Sequence, residues 1–146
     1  MITTILPFSA LSAIQLYDIL RLRSEVFVVE QNCIFLDMDD KDQIAMHLMI
    51  YENDDLVAYT RLYNEGQYYE EASIGRVVVS PRHRHKKLGH FLMKESIEAI
   101  LKLYNVNKIR IGAQCYLLKF YQSHRFSVDS EMYLEDGIEH VEMIRS

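Results

Sequence analysis

The amino-acid sequence predicts an α/β domain, a mixed sheet with helices packed on it, and three observations carry that prediction. An apolar run at Val77, Val78 and Val79 stops at Ser80-Pro81, crosses four Lys/Arg and two His between Arg82 and Lys87, and enters a helical pattern at Leu88. That is a strand, a basic turn and a helix start. Runs at His47 to Tyr51 and Leu56 to Tyr63 flank a tight turn at Asn53 to Asp55, as strands of a hairpin do. Asp136-Gly137, between Phe126 to Leu134 and Ile138 to Ile144, is a second hairpin signal.

The remaining elements follow in order. Ile2 to Phe8 alternates well enough for a short strand. A helix is expected from Ser9 or Ser12 as N-cap toward Phe27, because Leu16, Leu20, Arg23 and Phe27 stack at helical spacing beside Ile19. The acidic segment Asp37 to Asp42 reads as a solvated loop, with Asp37, Asp39, Asp40 and Asp42 able to attract a cationic amine. Leu88 to Tyr104 should be a helix burying Leu92, Ile97, Ile100, Leu101 and Tyr104. Lys108 to Ala113 reads as a strand and Tyr116 to His124 as a short helix.

Composition narrows the function. A chain of 146 residues is one domain by length, spanning 1–146, and 49% hydrophobic content suffices for a core. The formal net charge of −5 argues against nucleic acid held by bulk electrostatics, so the basic turn must act locally. At a helix start, where peptide N–H groups lack intrahelical partners and the dipole is positive, that turn suits a phosphate. Cys33 and Cys115 are too few for a disulfide framework, and neither they nor the histidines have metal-ligand spacing. Met1 to Pro7 lacks the features of a signal peptide, and no apolar run approaches membrane-spanning length, so no membrane partner and a cytoplasmic location are expected.

Two motifs and their spacing carry a resemblance. Arg84-His85-Lys86-Lys87-Leu88-Gly89 matches the pattern R/Q-x-x-G-x-G/A at Arg84 and Gly89, with Lys87 at the first glycine. Phe120 to Phe126 matches F-Y-x-x-x-G-F, with Arg125 at the glycine. In these motifs and its element order the chain resembles the GNAT acetyltransferase superfamily. The blocks Val26 to Cys33, Ile74 to Ser80, Gly112 to Gln114 and Glu135 to His140 are similar to those of its ElaA-like branch. The resemblance implies a mostly antiparallel, twisted mixed sheet of about six to seven strands with helices on both faces. It also implies acetyl-CoA as co-substrate, no metal, and an amine acceptor on a small molecule or protein, with a homodimer left open.

Residue roles follow from that chemistry. Acyl transfer to an amine needs a held donor, a stabilised oxyanion and proton traffic. The resemblance implies that the pyrophosphate lies along Arg84, His85, Lys86, Lys87, Leu88, Gly89 and His90, with Gln114 a further cofactor contact. The arm's amides would pair with the backbone of Val77, Val78 and Val79, and an N–H freed by local splaying would face the thioester carbonyl. Tyr121 is the candidate acid: its phenol stays protonated at neutral pH and lies only ~2 kcal/mol from a thiol by reference pKa values. For the base the superfamily often has a carboxylate near the end of the fourth strand, where this chain has Arg76, which cannot take a proton. Glu30 is the leading candidate, with Glu135 and His140 behind it as base or acceptor contacts. Arg76 is suited to an acceptor carboxylate or to pairing with Glu30. Two other readings compete: an idle CoA-binding sensor module, prompted by Lys87, Arg125 and the missing carboxylate, and an acyltransferase like the autoinducer synthases.

Overall fold

The computed structural model describes the backbone of all 146 residues and the side chains of all but His85 and Lys86. One eight-stranded sheet organises the chain, in the order β1-β2-β3-β4-β5-β8-β6, with β7 also on β8. Its strands are β1 (Ile2–Pro7), β2 (Met46–Glu52), β3 (Asp55–Tyr63), β4 (Ala72–Val79), β5 (Ile109–Gln114), β6 (Ser127–Val128), β7 (Tyr133–Glu135) and β8 (Ile138–Arg145). Every pairing is antiparallel except β4 with β5.

The helices cover opposite faces. Strand alternation sends Leu48, Ile50 and Ala58 to one face, where α2 (Leu88–Tyr104) buries Leu92, Met93, Ile97 and Ile100 against them. Met49, Tyr59 and Val78 face the other way, against Ile19 and Leu22 of α1 (Ala13–Arg23) and Val26 beyond it. Thr60 and Ser96 face each other fully buried between β3 and α2 and satisfy one another at 2.8 Å.

Local chemistry fixes the boundaries. Ser12 and Gln15 form a reciprocal capping box at the start of α1. Asn53 and Asp54, both at positive φ (50° and 68°), form the two-residue loop between β2 and β3. Asp136 and Gly137 (51° and 78°) do the same between β7 and β8.

Three expectations are corrected. Helix α1 stops at Arg23, and Ser24–Glu30 continues as a π-helical segment. The most buried face carries Ile19, Leu22, Arg23 and Val26, while Leu16, Leu20 and Phe27 are half-buried. The single strand expected over Phe126 to Leu134 is two short ones, because Ser130 Oγ takes the N–H of Glu142 and replaces a ladder bond where the chain detours. The helix expected over Tyr116 to His124 is a 3-10 turn, Cys115–Leu117, followed by α3 (Leu118–Gln122).

Candidate active site

The site is made by a sheet that comes apart. Parallel pairing of β4 with β5 is confined to Ala72 with Ile109 and Ser73 with Arg110. Beyond Ser73 the two strands diverge. On the opposite edge of β4 the register with β3 shifts between Tyr59 and Arg61, and Arg76 sits in the bulge at φ 48°. Between the diverging strands lies a cavity of about 500 Å³, lined by β4 from Ile74 to Val79, by Ile111, Gly112 and Gln114 of β5, by Gly89, Phe120 and Tyr121, and by Val26, Phe27, Glu30 and Gln31.

The cavity brings together most of the residues singled out from sequence. Tyr121, Glu30, Val77, Val78, Val79, Arg84, Gly89, Gln114, Arg76, Glu135 and His140 all line it. Lys87, Leu88 and His90 do not. Leu88 is a core residue at 2% exposure, and His90 is exposed with Nδ1 2.9 Å from His124 Nε2. The expectations for the His85 and Lys86 side chains fall outside the described residues.

On the side of the basic turn, Pro81–Lys86 winds as a 3-10 turn and Lys87 caps α2 at φ 55°. The left-handed backbone explains the glycine of the motif: the turn needs that conformation whatever the side chain. Arg125, at φ 72°, keeps the same conformation at the second motif's glycine. A methyl group on Gly89 would meet Phe120 at 3.5 Å, ordinary contact, so the glycine leaves backbone accessible rather than avoiding a clash.

Glu30 has a different partner from those considered. Its two oxygens accept from Arg84 Nη1 and Nη2, each at 2.6 Å, and Arg84 Nη2 also reaches the Val79 carbonyl at 3.3 Å. The guanidinium holds the Glu30 carboxyl below its ordinary value, which makes it a weaker base. Arg76 does not pair with Glu30 either. Its Nε and Nη2 donate to Asp37 Oδ1 and to the Asp37 carbonyl, at 2.8 and 2.7 Å.

Asp37 opens a network that the reading of a solvated acidic loop missed. Arg23, 0% exposed, donates to Asp37 Oδ2 and Asp42 Oδ1, both at 2.8 Å. Arg61, 1% exposed, donates to Asp42 Oδ1 at 2.9 Å and to Asp39 Oδ2 at 2.6 Å. With Arg76 the cluster balances three guanidinium groups against three carboxylates, so Asp37, Asp39 and Asp42 are committed inside the protein. Burial alone would raise the Asp39 carboxyl, but Arg61 and Arg76 outweigh it and hold the group down at about 2. His47 lies beneath them: the Asp42 carbonyl can only accept, so Nε2–H donates to it at 2.8 Å and Nδ1 accepts from the Tyr59 hydroxyl at 2.6 Å. Among the described residues no group of three or more His, Cys, Asp or Glu is arranged to hold a metal.

Tyr121 is 5% exposed and packs edge-on against Phe120 and Phe126. Burial pushes its phenol well above the ordinary value. A thiolate placed against the same apolar wall would be disfavoured by the same desolvation, so the gap between the two groups would widen less than the phenol's own shift. Gln114 meets Gln31 amide to amide at 3.3 Å. Cys33 donates its thiol to the Asp136 carbonyl at 3.1 Å, which ties the segment after the first helix to the last hairpin.

A narrow cleft of about 60 Å³ shares Ile74, Gly75, Arg76, Gly112 and Glu135 with the large cavity and is walled by Tyr63, Tyr68 and Tyr69. The Tyr69 and Tyr133 hydroxyls come so close to Gly112 that a Cβ there would lie 3.1 Å from each. Sequence reasoning passed over these tyrosines, since nothing in their spacing separates them from the other Tyr residues of the chain.

A mixed sheet splayed between its fourth and fifth strands, with a helix start and an extended backbone edge opening on one cavity, defines the acyl-CoA N-acyltransferase fold. The chain belongs to the GNAT acetyltransferase family: the model of the acetyltransferase (GNAT) domain matches residues 24–146. It is 42% identical over 142 residues to protein ElaA of Escherichia coli, covering 96% of this chain and 93% of that one. The crystal structure of that ElaA superposes with a TM-score of 0.92 at 40% identity, covering 99% of each chain. An acyl-CoA N-acyltransferase from Pseudomonas aeruginosa superposes at 0.94 with 36% identity over 100% of both chains. At the level of fold alone, an N-acetyltransferase of Thermoplasma acidophilum solved in complex with coenzyme A matches at 0.68 with 16% identity, covering 99% of each chain.

Proposed function

We propose that the protein is an acetyl-CoA-dependent N-acetyltransferase that passes the acetyl group directly from the thioester to a primary amine of a small molecule or protein. One observation supports this above the others: the unpaired edge of β4, the start of α2 and the Tyr121 side chain border one cavity. The pyrophosphate lies against the backbone between Arg84 and Gly89, where N–H groups and the helix dipole favour an anion. The pantetheine amides extend the sheet along Val77 to Val79, and a peptide N–H at the bulge polarises the thioester carbonyl. Tyr121 then donates to the departing thiolate. An idle CoA-binding module has less to support it, because Lys87 and Arg125 hold the left-handed backbone of the glycines they replace.

Calorimetric titration with acetyl-CoA, followed by thiol release with a panel of amines, tests the reading. Longer acyl-CoA donors in the same assay test the acetyl preference. The Tyr121→Phe variant keeps the ring, so acetyl-CoA affinity should barely change while kcat falls by roughly ten-fold to a thousand-fold. A variant that keeps the parent kcat when chemistry limits the rate returns Tyr121 to core packing and leaves thiolate protonation to solvent. No helix among the described residues is long and apolar enough to cross a membrane. A cytoplasmic location, where acetyl-CoA is made and used, fits the proposal.

A further inference from the structure

With Glu30 bound to Arg84 and Arg76 bound to Asp37, removal of a proton from an incoming ammonium falls to another group. We propose that His140 is the general base of the transfer, with Glu135 as its partner; the inference rests on the acyltransferase reading above.

The hydrogen bonding of the ring fixes its tautomer. Nδ1 lies 2.7 Å from the carbonyl oxygen of Ile138, which can only accept, so Nδ1 carries a proton. In the neutral ring the lone pair is therefore on Nε2, and Nε2 faces the Glu135 carboxylate at 3.5 Å. Two acceptors then confront each other with no proton between them. An ammonium group, with three donors, satisfies both at once. Both residues line the cavity, and Glu135 also lines the narrow tyrosine-walled cleft.

The ring is held in place. His140 sits on β8 directly between Gln114 of β5 and Tyr133 of β7. Tyr133 stacks on it, with ring centroids 5.8 Å apart and planes 25° from parallel. The titratable groups in contact with the ring are Glu135 and Tyr133 from β7; Asp136 on the adjoining turn and Cys33, whose thiol is bound to that turn, line the same cavity. His140 itself is 6% exposed, whereas the Glu135 side chain is 54% exposed and in contact with water.

The proton account closes. Nε2 takes one proton from R–NH3⁺, giving an imidazolium beside the Glu135 carboxylate and a neutral amine. The nitrogen lone pair forms the C–N bond to the thioester carbonyl carbon, and the carbonyl electron pair moves to oxygen. When that pair returns, the C–S bond breaks and its electrons leave on sulfur. Sulfur takes a proton from Tyr121, and the second proton lost by nitrogen restores the phenol. The imidazolium proton passes to solvent by way of Glu135, leaving amide, thiol and one released proton.

The test is His140→Asn, whose side-chain amide nitrogen can replace Nδ1 as donor to Ile138 while Nε2 is lost. It is assayed with two nucleophiles, the fastest alkylamine of the panel and O-methylhydroxylamine, whose nitrogen is already neutral at neutral pH. With the alkylamine at neutral pH, kcat/KM should fall by about ten-fold or more, and the gap to the parent should close as rising pH deprotonates the amine unaided. With O-methylhydroxylamine the change should stay within about two-fold, and acetyl-CoA affinity by titration should be unchanged. Equal losses on both nucleophiles, or no loss on the alkylamine, overturn the base assignment. If His140→Asn does not fold, the exposed Glu135→Gln decides: a loss confined to the alkylamine supports the pair, and an unchanged or non-selective rate overturns it. A parent protein that binds acetyl-CoA but releases thiol with neither nucleophile overturns the acyltransferase reading, and this inference with it.

Discussion

Arg84 grips Glu30 through two 2.6 Å contacts while both side chains remain in water, at 45% and 39% exposure. Arg23 and Arg61, at 0% and 1% exposure, share Asp42 through contacts of 2.8 and 2.9 Å. The residue types and distances are nearly the same, and the energetics are not. An exposed pair is screened and contributes roughly 0–1 kcal/mol, so it can be exchanged for another anion at little cost. A buried pair has already lost its water, and removing one partner strands a charge at a cost of about 3–5 kcal/mol. The exposed pair lies across the cavity on the side of the basic turn. The buried network anchors Arg76 through Asp37, and Arg76 occupies the bulge beside the opening between β4 and β5. One set is suited to yield to a ligand and the other to hold the cavity's shape.

The sharpest way to break this contrast is Asp42→Asn. The substitution is nearly isosteric but leaves Arg23 and Arg61 short of a negative charge, and the expected loss in urea unfolding is about 3 kcal/mol. A loss under about 1 kcal/mol would mean that water reaches the network, and the contrast would collapse.

Acid probes the same network. Asp39 drops from 3.8 to about 2 in the folded state, so the unfolded chain binds its proton first as pH falls. The stabilisation is present above pH ~3.8, is lost as pH falls toward 2, and is on the order of 2 kcal/mol for this one carboxyl. Acid unfolding of an Asp39→Asn variant should therefore depend less on pH across that window than the parent's. Equal slopes would show that Asp39 is not held down by Arg61.

The two regions also differ in how far sequence revealed them. The basic turn was legible because its charges follow an apolar run and precede a helix within a dozen residues, so local pattern and chemistry coincide. The acidic loop was misread because its partners lie far away in sequence: Asp37 meets Arg23, 14 residues off, and Arg76, 39 residues off. Composition cannot distinguish a carboxylate committed to such a partner from one in water. Arg23 did carry a signal, since an arginine in line with Leu16, Leu20 and Phe27 on a core-facing helix needs a buried acid. The Glu30–Arg84 pair spans 54 residues and had no comparable marker. His140 was legible, with Glu135, as a base or acceptor candidate behind Glu30; its tautomer and its position against Glu135 depend on a three-strand register that no local pattern specifies.

On the exposed side, Glu30→Gln separates strap from base. If the carboxylate serves chiefly to hold Arg84, the variant should release a guanidinium for phosphate, leaving acetyl-CoA affinity equal or higher and the alkylamine rate within about two-fold of the parent. Arg84→Ala should act in the opposite sense, weakening acetyl-CoA several-fold and flattening its salt dependence. In both variants the melting temperature should move little. A large, pH-reversible loss of rate in Glu30→Gln would restore Glu30 as the base.

The smallest expected effect belongs to Lys87→Gly, at the junction of the basic turn and α2. Lys87 holds φ 55°, a conformation that costs a side-chain-bearing residue about 1 kcal/mol relative to glycine. Glycine relieves that strain but enlarges the conformational freedom of the unfolded chain, which offsets part of the gain. The expected net change is a stabilisation of at most about 1 kcal/mol, read from urea unfolding. Acetyl-CoA binding gives the complementary measurement. Lys87 is exposed and does not line the cavity, so its loss should cost affinity only through long-range attraction, and the difference from the parent should vanish at high salt. A salt-independent loss of affinity would instead place the ammonium in direct contact with the phosphate. A destabilised variant would mean that the lysine side chain makes packing contacts worth more than the strain it imposes.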